Sequence, residues 1–130
     1  MPTKEIPRDE WASFLDSFSQ QHQGWLVTLE VIAPEIGAQE EASNLPLEGI
    51  TSSGSNEHKT ISISVGNVPS NHLTHTVNDP TWLWLKQTPQ GADEALEIES
   101  TDGVKTLLRF RSAMPAEMVD GLIYKNQEGG

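Results

Sequence analysis

Two histidines, His72 and His75, form the closest pair among the four histidines of the chain. Imidazole nitrogens bind transition metals and exchange protons near neutral pH. With a nearby carboxylate such as Asp79, the pair could serve a small metal-assisted or acid–base hydrolase. These three residues are therefore the candidate catalytic residues, although an enzyme is not the function that we favour.

The spacing of the two histidines argues against a shared metal ion. Residues three apart in a strand lie on opposite faces, and about 10 Å separates them along the chain. One metal could bridge His72 and His75 only if residues 71–74 formed a turn. We expect His75 to share a partly buried strand face with Leu73 and Val77, and we predict neither a metal site nor a cofactor.

Two tryptophans, Trp82 and Trp84, alternate with Leu83 and Leu85 and form a second candidate site. Alternation places both indoles on one face of a strand and both leucines on the other. Aligned indoles could stack on a sugar or a base, or form a contact between protein copies. Because a strand that is apolar on both faces is usually covered on both, we expect the indoles in the core, with a binding role as the alternative.

Acidic side chains cluster in one segment and could do acid–base work or bind calcium. They are Asp93, Glu94, Glu97 and Glu99. The segment lacks the Asp-x-Asp-x-Asp-Gly pattern of a calcium loop. We interpret it as a solvated sheet face with charge pairs to Lys105, Arg109 and Arg111 on the next strand.

A polar segment, Ser52–Lys59, is expected to be a mobile loop. Its serines do not form a Gly-x-Ser-x-Gly elbow, so a serine nucleophile is not indicated. Phosphate-binding and dinucleotide-binding glycine motifs are also missing from the sequence. These observations support the prediction that the protein binds no cofactor.

The first element that could position these residues is a helix. Pro7 suits the first position of a helix, and Gly24 suits its end. Trp11, Phe14, Leu15 and Phe18 recur at helical spacing and form one apolar stripe. The stripe requires an apolar partner surface, which we expect to be a β-sheet.

Strand patterns fill the chain from Trp25 to Arg111. Ile61, Ile63 and Val65 alternate with serines and give the clearest half-buried strand. Near the end of this region, a three-residue turn through Gly103 would join two strands in a hairpin. Its register places Leu96 opposite Leu108 on one face of the hairpin and Glu99 opposite Lys105 on the other. Apolar residues then pair with each other on one face, and opposite charges pair on the other.

The predicted fold is mainly β, of the α+β type. An N-terminal amphipathic helix packs on a small antiparallel β-barrel or strongly bent sheet of six to seven strands. A short helical turn from Pro115 to Gly121 follows. We expect one domain over residues 1–130, with an ordered core at 6–122 and flexible ends at 1–5 and 125–130.

The charge of the chain limits its partners. Eight Lys and Arg against 19 Asp and Glu give a net charge of −11, which repels nucleic acid backbones. No apolar run approaches the roughly 18 residues that span a bilayer, and the N-terminus resembles no signal peptide. The absence of cysteine fits a reducing compartment, so we expect a cytoplasmic protein that binds neither nucleic acid nor membrane.

Several segments resemble an uncharacterised bacterial family of short acidic proteins, a domain of unknown function. The similarity extends from about Ile6 to Gly121 and is carried by the segments Ile6–Trp11, Gly24–Thr28, Leu45–Gly49, His72–Val77 and Glu94–Ser100. The resemblance implies a bacterial protein and transfers no catalytic residue. We therefore expect a non-enzymatic interaction or binding module that self-associates or binds another protein; the alternative is the hydrolase described above.

Overall fold

The computed structural model describes residues 3–55 and 57–110. Within these ranges the chain forms one α-helix and eight strands: β1 (Thr3–Glu5), α1 (Trp11–His22), β2 (Leu26–Ala33), β3 (Gly37–Gly54), β4 (Lys59–Val65), β5 (Leu73–Asn78), β6 (Pro80–Gln87), β7 (Asp93–Ser100) and β8 (Lys105–Phe110). The predicted mainly β architecture with an N-terminal helix is confirmed. The predicted helical turn from Pro115 to Gly121 lies outside the described residues.

The expected count of six to seven strands was too low. The additional strand, β1, has only three residues and pairs with β6. A three-residue strand is too short to show an alternating pattern, so its pairing depends on the neighbour that it meets in the fold.

All neighbouring strands of the sheet are antiparallel, in the order β1-β6-β7-β8-β2-β3-β4-β5. Both β1 and β5 have one pairing neighbour within the described residues. Hydrogen bonding therefore does not close the sheet, and the barrel alternative is not confirmed.

The long strand β3 joins the two parts of the sheet. Its first half pairs with β2 and its second half pairs with β4. Near the change of partner, Asn44 has a φ of 54°, and the pairing with β4 shifts register between Leu47 and Gly49. Such irregularities bend a strand, and here one core cluster contains residues from both parts of the sheet.

The expected loop at Ser52–Lys59 is shorter than predicted, because residues 52–54 belong to β3 and Lys59 belongs to β4. Ser52 and Ser53 belong to β3 and pair with Ile61 and Thr60 of β4. The prediction was wrong for these residues, because serine by itself is not a strong strand signal. In the fold, pairing with β4 satisfies the backbone groups of Ser52 and Ser53.

Helix α1 packs against β3 through its predicted stripe. Trp11, Leu15 and Phe18 are buried, and Phe14 packs against the core cluster. The hydroxyl of Ser19 donates to the carbonyl of Ile50 at 2.9 Å and accepts from the Ile50 amide at 2.8 Å. These two bonds fix the helix to the second half of β3.

The hairpin of β7 and β8 has the predicted register. Leu96 lies opposite Leu108, Glu99 lies opposite Lys105, and Gly103 has a φ of 84°. The Ser100 hydroxyl and the Val104 amide donate to Asp102, and these hydrogen bonds hold the pKa of the Asp102 carboxyl below its usual value. Local turn chemistry therefore determines this part of the fold.

Candidate functional site

The tryptophan pair lies on the outer face of the sheet. Trp82 is 44% exposed, and the rings of Trp82 and Trp84 are nearly parallel, with an interplanar angle of 11° and centroids 5.7 Å apart. Leu83 and Leu85 point into the core on the opposite face of β6. The predicted alternation is confirmed. The expectation that both indoles lie in the core was wrong. The reason is that α1 packs on β3 and, among the described residues, does not cover this face of β6.

Three carboxylates surround the indoles as register partners on the neighbouring strands. Trp82 lies opposite Glu99, and Trp84 lies between Glu97 of β7 and Glu5 of β1. Lys86 pairs with Glu97 at 2.9 Å. Among the described residues, Glu5 and Glu99 form no ion pair within 4 Å. We call Trp82, Trp84, Glu5 and Glu99 the indole surface.

The acidic segment differs in part from its predicted role. Glu97 makes a cross-strand charge pair with Lys86 as expected of a solvated face. Arg109, however, pairs with Glu30 of β2 at 3.1 Å instead of a β7 carboxylate. Asp93 also differs from the prediction, because its carboxylate contacts a buried histidine and does not belong to the solvated face.

That histidine is His22, in the last turn of α1. Its Nε2 lies 2.9 Å from Asp93 Oδ2, and its Nδ1 lies 2.8 Å from the Phe18 carbonyl oxygen. Gln87 donates its amide to the other Asp93 oxygen at 2.9 Å. The Phe18 carbonyl oxygen can only accept, so this hydrogen bond requires a hydrogen on Nδ1.

Aromatic rings enclose His22. The rings of Phe18 and Phe110 stack on it with centroid distances of 4.1 and 4.9 Å, and Trp25 meets it edge-on at 4.4 Å. His22 is 3% exposed. The ring of His22 is therefore closed to a substrate. Its contact with Asp93 connects the end of α1 to the sheet and has a structural role.

The pH dependence of stability is expected to include a contribution from Asp93. Hydrogen bonds from His22 and then Gln87, together with the charges of His22 and Lys4, hold the pKa of Asp93 below its usual value despite partial burial. Because the pKa of Asp93 is lower in the folded state than in the unfolded state, its ionisation stabilises the fold. This contribution is complete at pH values above the unfolded-state pKa of about 3.9. It is lost as the pH falls through the folded-state pKa. We expect Asp93→Asn to be less stable than wild type at neutral pH and to lose less stability on acidification.

Urea denaturation over the acidic range measures this difference. Asp16→Asn, which removes an exposed carboxylate of α1, serves as the matched control and should follow the wild-type pH profile. Identical pH profiles for Asp93→Asn and wild type would contradict the assignment.

The predicted catalytic residues have separate partners. His72 Nε2 lies 2.6 Å from Glu48 Oε1, whereas Asp79 lies 3.8 Å from the exposed His58. His75 shares the inner face of β5 with Leu73 and Val77 as expected, and burial lowers its pKa despite the opposing charge of Glu41. Within the described residues, no group of three or more His, Asp or Glu side chains is arranged for a metal ion.

The dyad of His72 and Glu48 lines an open cavity of about 520 Å³. The remaining lining residues are Gly66, Asn67, Val68 and Pro69. Gly66 has a φ of 102°, and a Cβ there would lie 2.5 Å from the Asn71 carbonyl oxygen. The wall of the cavity therefore requires glycine at this position.

Two contacts were missed by the sequence interpretation, namely His22 with Asp93 and His72 with Glu48. A sequence signal existed for His22, since it follows Phe18 by four residues and continues the buried stripe of α1. Glu48 carries no comparable signal, because it is 24 residues from His72 and the two meet only where β3 and β5 flank β4.

Comparisons with known proteins identify relatives along most of the chain. The model of a family of unknown function, DUF5335, matches residues 2–119. An uncharacterized protein of Aquifex aeolicus (strain VF5) is 27% identical over 115 residues, which cover 88% of this chain and 97% of that protein. No solved structure matches the chain significantly. In the ranges that the structure describes, none of the helical segments is long and apolar enough to cross a membrane.

Proposed function

The chain belongs to DUF5335, a family of unknown function, and from this premise we propose that it is a non-enzymatic interaction module. Its binding site is the indole surface, and its partner is a basic, arginine-containing segment of another protein. The observation that carries this proposal is the parallel pair of outward-facing indoles on β6.

The exposed Trp82 and the partly buried Trp84 leave apolar ring surface in water, which is unfavourable. Burying apolar surface contributes about 25 cal/mol per Å², and tryptophan is enriched among the residues that dominate protein interfaces. Trp82 and Trp84 are held parallel by a strand whose other face is in the core. A partner therefore meets a preformed aromatic surface and does not have to order it.

The carboxylates of the indole surface favour a cationic ligand. Guanidinium groups stack on indole faces and form paired hydrogen bonds with carboxylates. Trp82 offers this combination with Glu99, and Trp84 offers it with Glu5. A cation–π contact of this kind occurs within the chain itself, where the guanidinium of Arg8 lies 5.0 Å from the ring centroid of Trp11.

The charge of the whole chain supports the same partner. A net charge of −11 favours basic segments as partners and repels phosphate backbones. We therefore propose a protein partner and no nucleic acid partner. We also propose that the chain is a single domain that functions in the cytoplasm, where a protein without cysteine needs no disulfides.

A short peptide of alternating arginine and glycine tests the proposal by isothermal titration calorimetry. We expect Trp82→Ala to weaken its binding at least about tenfold, because truncating a central aromatic anchor costs about 2 kcal/mol or more and a tenfold change corresponds to about 1.4 kcal/mol. Trp84→Ala should also weaken binding. The Glu5→Gln and Glu99→Gln variants should reduce the preference for arginine over lysine peptides.

Ile36→Ala is the matched control, because Ile36 is a large apolar residue with 67% exposure elsewhere on the surface. It leaves the net charge unchanged, as Trp82→Ala does. Equal peptide affinities for the two variants would show that the peptide is attracted only by the net charge of the protein. That result would reject the indole surface as the binding site. Binding of a glucose hexasaccharide instead of the peptide would identify a sugar platform and also reject the proposal.

A hydrolase is the second candidate function, and one observation favours it. The dyad of His72 and Glu48 borders a cavity, and a carboxylate next to an imidazole can orient it as a general base. Hydrolysis of p-nitrophenyl acetate that disappears in His72→Ala and Glu48→Gln would support an enzyme. Equal rates for wild type and both variants would exclude this role of the dyad.

A further inference from the structure

Within residues 3–55 and 57–110, strand β5 pairs with β4 on one side and with no strand on the other, so it is an edge of the sheet. Next to the strand, the Asp79 amide donates to the Lys59 carbonyl at 3.1 Å. Antiparallel pairs alternate between hydrogen-bonded and non-bonded positions, so Leu73, His75 and Val77 bond to β4.

The backbone groups of Thr74, Thr76 and Asn78 consequently point away from β4. The side chains agree with this alternation, because Thr76 contacts the hydroxyl of Ser62, and Thr74 contacts that of Ser64. Such close side-chain contacts are typical of non-hydrogen-bonded pairs. No other part of the chain that the structure describes pairs with this row of amides and carbonyls, which is therefore available at this edge.

The sequence of β5 is symmetric in residue type about His75. Thr74 and Thr76 flank it, and the apolar Leu73 and Val77 follow on either side. A two-fold interface requires a surface that is complementary to itself. This strand meets that requirement when a second β5 runs antiparallel to it with the two His75 residues opposite each other.

We propose that two copies of this chain associate by antiparallel pairing of β5 with β5, centred on His75. In this register Thr74 forms hydrogen-bonded backbone pairs with Thr76 of the second copy, which uses the unpaired groups of both strands. Leu73 and Val77 meet across the interface on the inner face. The hydroxyl pairs between β4 and β5 continue across the outer face.

The charges of this edge permit such a contact. Strand β5 contains no Asp, Glu, Lys or Arg, so the negative charge of the chain is carried elsewhere, and salt screens it beyond about 8 Å. Burial lowers the pKa of His75, with Glu41 on β3 opposing the shift. Burial therefore favours the uncharged form of the ring, in which two such rings can lie side by side.

The interface is small, and we expect a weak dimer that depends on concentration. Sedimentation velocity from micromolar to millimolar protein should show a monomer–dimer equilibrium at neutral pH. The dimer should weaken as pH falls and the two facing His75 rings become charged. A monomer at every concentration would overturn the proposal.

A cysteine cross-link tests the register, because the chain has no native cysteine. Opposite residues of a non-hydrogen-bonded pair have Cα atoms about 4.5 Å apart, within the range of about 4.4–6.8 Å that a disulfide requires. We expect oxidised His75→Cys to become a covalent dimer. Asn78→Cys is the matched control on the same strand, and it should stay monomeric under denaturing, non-reducing conditions.

Proline variants at the two edges test the location. The amide of Thr76 faces the open side, so Thr76→Pro keeps the bonds to β4 and blocks a second strand. Thr3→Pro places the same change on the other edge strand, β1. We expect Thr76→Pro to abolish the dimer and Thr3→Pro to retain it. The reverse result for the two proline variants would reject the proposal. So would a covalent dimer of Asn78→Cys when His75→Cys forms none.

Discussion

Replacing His22 by alanine is expected to lower the free energy of unfolding by about 3 kcal/mol, near the lower end of the range for breaking a buried ion pair. The substitution leaves the Asp93 carboxylate without its histidine partner, and only 20% of its side chain is exposed to water. It also removes the ring that stacks on both Phe18 and Phe110. Urea denaturation followed by tryptophan fluorescence measures the change.

His58→Ala is the matched control for this prediction. His58 also faces an aspartate, Asp79 at 3.8 Å, but the histidine side chain is 83% exposed. Exposed pairs contribute about 0–1 kcal/mol, so the control should differ from wild type by less than His22→Ala. Similar losses for the two variants would show that burial and the aromatic enclosure do not strengthen the His22 contact.

Trp11→Ala is expected to destabilise the protein by about 3–5 kcal/mol, the usual loss when a buried large aromatic residue is truncated. Trp11 is the first residue of α1 and is 1% exposed. Its indole donates a hydrogen bond to the Ile6 carbonyl at 2.8 Å. The substitution therefore creates a cavity beneath the helix and removes the partner of a backbone carbonyl.

Two further variants separate the contributions at this position. Trp11→Phe retains most of the apolar volume but loses the hydrogen bond, so it should cost less than Trp11→Ala. Phe14→Ala removes a half-buried ring one turn later and should also cost less. A loss of less than about 1 kcal/mol for Trp11→Ala would contradict the assigned role of Trp11, because cavity formation at a fully buried site exceeds that value.

The proposed surfaces lie on different strands and can be tested independently. The indole surface belongs to the outer face of β6 with its neighbours β1 and β7, whereas the proposed dimer uses the edge of β5. Trp82→Ala should therefore leave the monomer–dimer equilibrium unchanged. Thr76→Pro should likewise leave the affinity for the arginine peptide unchanged.

The sequence alone was sufficient for features that depend on neighbouring residues. The stripe of Trp11, Leu15 and Phe18 identified α1, because helical geometry places these residues on one side. The turn at Gly103 fixed the pairing of Leu96 with Leu108, because a short connection leaves few alternatives for register. The orientation of Trp82 opposite to Leu83 followed from strand alternation in the same way.

The tertiary structure decided which of these faces is covered and which distant groups meet. Alternation separates Trp82 from Leu83 but does not state which side faces water; the packing of α1 on β3 decides that. His72 meets Glu48, and His22 meets Asp93, only because the fold brings separate segments of the chain together. Contacts of this kind depend on the sum of packing over the whole chain, so no local pattern of residues encodes them.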